Sequence, residues 1–208
     1  MIDLTLGAVA DVVGGELVDQ GAADVMVTSV TIDSRTAGDG ALFVALRGEH
    51  ADGHAYIDDA LGRGAAGAIV EQGRGQHRSV EVDDPADALL GLGAWVRDTV
   101  DPLVVAVTGS SGKTTTKDLI RAAVSGTRRT VANVGSYNNE LGVPLTCCAL
   151  EPDTEMLVAE VGARGVGHIS AMAAVLRPDV GVITNVGSAH LEMFADLHGV
   201  ARAKSELV

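Results

Sequence analysis

The stretch Thr108-Gly109-Ser110-Ser111-Gly112-Lys113-Thr114-Thr115-Thr116 places more potential chemistry in fewer residues than any other part of this sequence. Glycines at such a turn let backbone N–H groups curl around a phosphate, Lys113 reaches β and γ oxygens, and the hydroxyl of Thr114 or Thr115 takes a place on Mg²⁺. The complete Walker string would have glycine where this chain has Val107, which leaves Gly-x-x-Gly-Lys-Thr-Thr. The plain alternative is a glycine turn before a helix with a solvated lysine. The flanks favour the phosphate loop: Leu103 to Val107 is apolar throughout, as a parallel strand buried on both faces should be, and Lys117 to Val124 spaces its apolar residues helically. Gly109, Ser110, Ser111, Gly112, Lys113, Thr114 and Thr115 are therefore the candidate nucleotide-binding residues.

A magnesium nucleotide also needs an acid at the carboxyl end of a neighbouring strand. Glu160 closes the apolar run Met156-Leu157-Val158-Ala159 and so points into the crevice where such sheets bind ligands; the alternative is a strand-end glutamate paired with Arg164. Asp179 opens a strand and Asp33 lies in the other half, so both are weaker candidates. His190 follows the strand ending Ile183-Thr184-Asn185-Val186, either as a metal ligand or as a satisfied structural histidine. Lys204 lies on a terminal helix, where it reads as a solvent-facing cation unless something else claims it.

The elements that position these residues fall into two halves. Residues 1–98 carry short apolar runs (25–30, 41–46, 65–70, 79–82) between Gly/Asp clusters and Ala-rich stretches, which predicts a small mixed α/β domain. Helical spacing over 85–96 and the pair Asp101-Pro102 place the break there. Residues 99–208 alternate strand and helix: strands at 103–107, 129–132, 156–161 and 180–184, helices at 167–176 and 197–207. This predicts a doubly wound parallel-sheet, phosphate-loop, ATP-binding domain, present in part.

Composition narrows the function. The 208 residues are 47% hydrophobic and 21% charged with no run long enough to span a bilayer, so a membrane partner is not expected. Acidic residues number 28 against 15 basic, for a net charge of −13, and aromatics are 2% of the chain; the field repels polyanions and there is little to stack on bases, so nucleic acid is not an expected partner. A single nucleotide remains compatible, since it needs only a local nest of N–H groups and one or two cations. The only cysteines, Cys147 and Cys148, are adjacent and poorly placed to staple the fold, and no secretory signal follows Met1, which fits a reduced cytoplasm.

The strings taken together resemble the ATP-dependent Mur ligases of peptidoglycan synthesis. In the first half the likeness rests on Asp33-Ser34-Arg35, on Gly40 to Gly48 and on Asp52-Gly53-His54. In the second it rests on the phosphate loop, Asn138-Asn139-Glu140-Leu141-Gly142-Val143-Pro144, Glu160 to Ile169, Thr184 to Glu192 and Ala203 to Leu207. The Asn-Asn string and the Gly-Ala-Arg after Glu160 match the ligase that joins D-Ala-D-Ala to UDP-MurNAc-tripeptide rather than the one acting a step earlier. The resemblance implies that Ser34, Arg35 and His54 contact the UDP end, that Asn138, Asn139 and Arg164 contact substrate, and that Thr114 and Glu160 hold a first Mg²⁺. It implies a second Mg²⁺ at His190 and Lys204, the lysine carbamylated, and catalytic roles for Lys113, His190 and Lys204. Amide ligation would run through an acyl phosphate. The third peptide residue, diaminopimelate or lysine, stays open, as does the oligomeric state, with a monomer favoured. The family's nucleotide domain continues beyond the Lys204 helix and a third domain follows, so the alternatives are a chain that acts only as a UDP-sugar and ATP-binding module, inactive alone, or a folylpolyglutamate-type or other Mur ligase.

Overall fold

The computed structural model of the chain describes residues 1–49, 51–135, 137–187, 194 and 196–208. Two compact units emerge, Met1–Trp95 and Val96–Val208. The division falls inside a helix, a little before the boundary at residue 98 expected from composition.

In the first unit the elements are β1 (Leu4–Thr5), α1 (Leu6–Val13), β2 (Glu16–Leu17), β3 (Met26–Val27), β4 (Ser29–Thr31), β5 (Ala41–Val44), α2 (Ile57–Gly62), β6 (Gly67–Glu71) and β7 (Ser79–Val82). Its main sheet runs β2-β7-β6-β5-β4, parallel except for the β2–β7 pair, while β1 and β3 form a separate antiparallel ribbon. The two-residue period of a strand sorts the side chains: Ala41, Phe43 and Ala45 share a face with Ala68 and Val70 and pack on Ile57 and Ala60 of α2. Phe43 is the one large ring in that alanine-rich layer.

Helix α3 (Pro85–Val100) leads into the second unit and stops where expected, at Asp101, whose φ is +50, followed by Pro102. Next come β8 (Leu103–Thr108), α4 (Lys113–Val124), β9 (Thr130–Ala132), α5 (Gly142–Cys148), β10 (Met156–Glu160), α6 (His168–Leu176), β11 (Val180–Ile183) and α7 (Leu197–Ser205). The four strands are all parallel in the order β11-β8-β10-β9. Val105, Val107, Met156 and Val158 pack against Ile120 and Val124 of α4 on one face. The alternate residues Val104, Ala106, Leu157 and Ala159 are equally buried on the other, where α5 and α6 lie. Helices on both faces of a parallel sheet make this a doubly wound α/β unit.

Strand β11 sits at the edge of the described sheet with Val180 and Ile183 exposed. One element differs from the sequence reading. Helix α5 was not anticipated; its Pro144 occupies the first turn, where the missing N–H has no intrahelical partner to lose. No helix among the described residues is long and apolar enough to cross a membrane.

Candidate functional site

Strand β8 delivers the chain to the phosphate loop. Gly109 packs so closely on Thr184 that a Cβ would collide with its hydroxyl, and Gly112 takes φ +77 as the residue before α4. No side chain caps α4. The backbone N–H groups of its first turn, which have no intrahelical acceptors, are thus turned toward any anion above the loop, with the positive end of the helix dipole behind them. Lys113 folds back over the loop, its Nζ donating to the Gly109 carbonyl at 2.9 Å.

Ser110 and Ser111 are engaged on the far side of the loop. Asn185 Oδ1 accepts from the N–H groups of Ser110 (3.1 Å) and Ser111 (3.0 Å), and Asn185 Nδ2 donates to Ser111 Oγ at 2.7 Å. Thr184 Oγ1 donates to the Ser111 carbonyl at 2.6 Å, and Ser110 Oγ bonds both the carbonyl and the N–H of Gly187. The segment after β11 therefore clamps the loop. Gly112, Lys113, Thr114 and Thr115 present the N–H groups that remain available to phosphate, whereas Ser110 and Ser111 serve mainly as anchors.

Glu160, 2% exposed at the end of β10, faces the loop. Thr114 Oγ1 donates to its Oε2 at 2.7 Å and Asn138 Nδ2 donates to its Oε1 at 2.7 Å. Those partners take the place of Arg164, which is exposed. A hydroxyl and a carboxylate converging beside a phosphate loop are hard oxygen donors, a set that suits Mg²⁺. Asn139 spends its side-chain oxygen on the Gly142 N–H (2.9 Å), at the start of α5.

Lys204 is 6% exposed on α7, not solvent-facing. Val200 and Ala203 of that helix pack with Phe194 and Ala163, and the Glu206 carboxylate accepts from Gly167 N–H (2.6 Å) and Ser170 N–H (3.0 Å), tying the end of α7 to the start of α6. Burial, and then the charge of Lys113, lower the Lys204 pKa below the ordinary lysine value. The other expected second-metal residue, His190, lies outside the described residues.

In the first unit the expected substrate contacts are largely occupied by neighbours. His54, 8% exposed, bonds Asp52 Oδ1 through Nδ1 at 2.6 Å and accepts the Glu71 N–H on Nε2 at 3.0 Å, so the proton sits on Nδ1 and both ring nitrogens are used. Arg74 closes on Asp52 Oδ2 at 2.9 Å. The His54 ring and backbone N–H, with Arg74 behind them, hold the Asp52 carboxyl down at about 2. Arg35 is exposed and forks onto Asp33 (2.8 and 2.6 Å), which its guanidinium holds at about 2, and the buried Ser34 bonds Asp59.

Comparison with known proteins gives this arrangement a context. Residues 107–208 match the model of the Mur ligase middle domain, and residues 26–93 match that of the Mur ligase family catalytic domain. The chain belongs to the Mur ligase family.

Within that family it is 40% identical to the UDP-N-acetylmuramoyl-tripeptide--D-alanyl-D-alanine ligase of Escherichia coli K12, over all of this chain and 45% of that protein. The same ligase of Mycobacterium leprae is 38% identical, over all of this chain and 46% of the relative. MurF from Acinetobacter baumannii superposes with a TM-score of 0.92 at 34% identity over 99% of this chain and 46% of that one. The Thermotoga maritima MurF ligase, solved in complex with ADP, superposes with a TM-score of 0.80 at 34% identity, over 88% of this chain and 43% of that one. The chain thus spans about 45% of the length of the relatives it matches.

Thr184 and Asn185, which clamp the loop, were missed as site residues. For Thr184-Asn185 a signal existed: two polar residues directly after an apolar parallel strand fall on the ligand side of such a sheet.

Proposed function

We propose that this Mur ligase chain carries the nucleotide site and the UDP-substrate domain of an ATP-dependent ligase that joins D-Ala-D-Ala to UDP-MurNAc-tripeptide, as its relatives' names state for them. The observation that carries the reading is the 2.7 Å contact of Thr114 Oγ1 with Glu160 Oε2, set between Lys113 and the end of β10. Residues 1–98 form the UDP-MurNAc-peptide domain and 99–208 the first part of the ATP domain.

Each residue has a task. Lys113 exchanges the Gly109 carbonyl for β and γ oxygens of ATP, and the first-turn N–H groups of α4 hold the phosphate chain in line. Thr114 and Glu160 would hold one Mg²⁺, which supplies neutralisation of the phosphate charge. A second Mg²⁺ is assigned to His190 and Lys204. Lys204 is held where its ammonium is disfavoured; the neutral amine is the form that reacts with CO₂, and the resulting carbamate would be an anionic oxygen ligand beside Lys113. The terminal carboxylate of the tripeptide attacks the γ-phosphorus, breaking its bond to the β–γ bridging oxygen and releasing ADP. The amine of D-Ala-D-Ala then attacks the acyl phosphate carbon, phosphate leaves, and a proton is lost from nitrogen. Arg35 and Ser34 belong to the UDP end, and Asn138, Asn139 and Arg164 to the peptide end. The protein is assigned to the cytoplasm as a monomer, with no nucleic-acid partner.

Calorimetry with MgADP and with UDP-MurNAc-tripeptide tests the assignment. Lys113→Ala should abolish the nucleotide heat and keep that of the UDP substrate. Phosphate release with D-Ala-D-Ala, and not with single amino acids, checks the ligation step. A wild-type chain that binds neither ligand would overturn the proposal.

A further inference from the structure

Alternate residues of β10 turn their peptide groups toward β9, beginning with Met156, whose N–H donates to the Arg129 carbonyl at 3.1 Å. Glu160 falls in the same phase, but the β9–β10 ladder ends earlier, at Ala132 opposite Val158. The missing rung is supplied by a side chain. Asn133 Oδ1 accepts the Glu160 N–H at 2.8 Å and Asn133 Nδ2 donates to the Glu160 carbonyl at 3.1 Å. A carboxamide offers the same donor and acceptor pair as a peptide group, so it continues the sheet by one residue. The same Nδ2 also donates to the Tyr137 carbonyl at 2.8 Å, next to Asn138.

Asn133 is fixed in turn by a buried cation. Its backbone carbonyl accepts from Lys117 Nζ at 2.8 Å, and Lys117 is 3% exposed with Asp118 Oδ1 as its other partner at 3.2 Å. A buried ammonium is costly unless bonded in this way, which makes the contact an unusual choice for a mere filler of space. Lys117 lies one turn beyond Lys113 on α4, so the helix that presents the nucleotide lysine also braces the strand end bearing the carboxylate.

We propose that Asn133 and Lys117 are positioning residues that hold Glu160 in register with Thr114 and thereby tune the site for Mg²⁺ over larger cations. The inference rests on the reading of Thr114 and Glu160 as Mg²⁺ ligands. Mg²⁺ demands near-octahedral oxygen ligands at about 2.0–2.1 Å, whereas Ca²⁺ accepts looser geometry at about 2.3–2.6 Å. A strand end that twists therefore penalises Mg²⁺ first.

ADP binding to this chain, titrated by calorimetry with Mg²⁺, with Ca²⁺ and without metal, provides the test. Asn133→Leu should raise the Mg²⁺ concentration needed for tight ADP binding about tenfold to hundredfold, the range for losing a residue that orients a metal ligand, and should leave the Ca²⁺ and metal-free arms unchanged. Lys117→Met should act in the same direction by a smaller factor, and it decides the question if Asn133→Leu does not fold. An unshifted Mg²⁺ dependence, or an equal loss in all three arms, would overturn the inference alone. A wild-type chain whose ADP affinity ignores Mg²⁺ would overturn the ligand assignment beneath it as well.

Discussion

Replacing Asn185 with alanine removes a clamp without touching a phosphate-binding group. The carboxamide contributes three hydrogen bonds to the loop: from Ser110 N–H, from Ser111 N–H, and to Ser111 Oγ. Each is worth about 0.5–1.5 kcal/mol net, and these lie at the exposed end of the range, so the loss sums to about 2 kcal/mol. The loop stays attached through Thr184 and through Ser110 with Gly187, and Ser110 N–H keeps the Asn185 carbonyl at 3.1 Å. The fold should therefore survive while the loop samples more shapes. Ordering it again falls on the nucleotide, whose affinity should drop about thirtyfold, the equivalent of about 2 kcal/mol. Displacement of a fluorescent ADP analogue reads the affinity, and thermal melting of the ligand-free protein reads the fold. An affinity within about twofold of wild type would refute the argument, which takes 1.4 kcal/mol as a factor of ten.

Other outcomes follow from burial and charge. Burial pushes the Cys147 thiol up to about 12 and Cys148 higher still, so iodoacetamide at neutral pH should label neither cysteine until denaturant is added; rapid labelling of the folded chain would contradict their placement. Phe43→Ala should cost about 3–5 kcal/mol in urea unfolding, because the surrounding alanines have no longer side chains with which to fill the hole; a loss below about 1 kcal/mol would show that α2 collapses onto the sheet. Asp52 has a folded pKa of about 2 against an ordinary 3.8, so its contribution to stability is complete above the ordinary value and is lost as pH falls toward about 2. The stability gap between wild type and Asp52→Asn should be constant at neutral pH and close across that window. A gap that persists at the acid end would disprove the assignment.

Local pattern made some of the site legible. The apolar run before Gly109, the helical spacing after Lys113 and the single acid closing Met156 to Ala159 each depend on neighbours in the chain, and each led to the right element. Partner choice across the fold did not show. Asn185 meets Ser111 across 74 residues and Asn133 meets Glu160 across 27; the place of Asn185 after an apolar strand marks it only as ligand-side, and nothing near Asn133 distinguishes a clamp from a turn residue. His54 is the converse case: the family resemblance singles it out through Asp52-Gly53-His54, and in the structure Asp52 and the Glu71 N–H engage both ring nitrogens, partners that the local string does not reveal in full. Taken by itself Lys204 reads as a solvent-facing cation, and only the family resemblance gives it a metal-ligand role; in the structure the packing of Val200 and Ala203 turns it inward.

Helix α4 begins without a cap, at a glycine that can offer no side-chain oxygen to the first-turn N–H groups. A phosphate seated there would complete the helix as a serine or aspartate does elsewhere. A ligand seated there is then a missing piece of secondary structure, and occupancy and melting temperature become two readings of one equilibrium. A phosphate loop built this way is least ordered when it is empty.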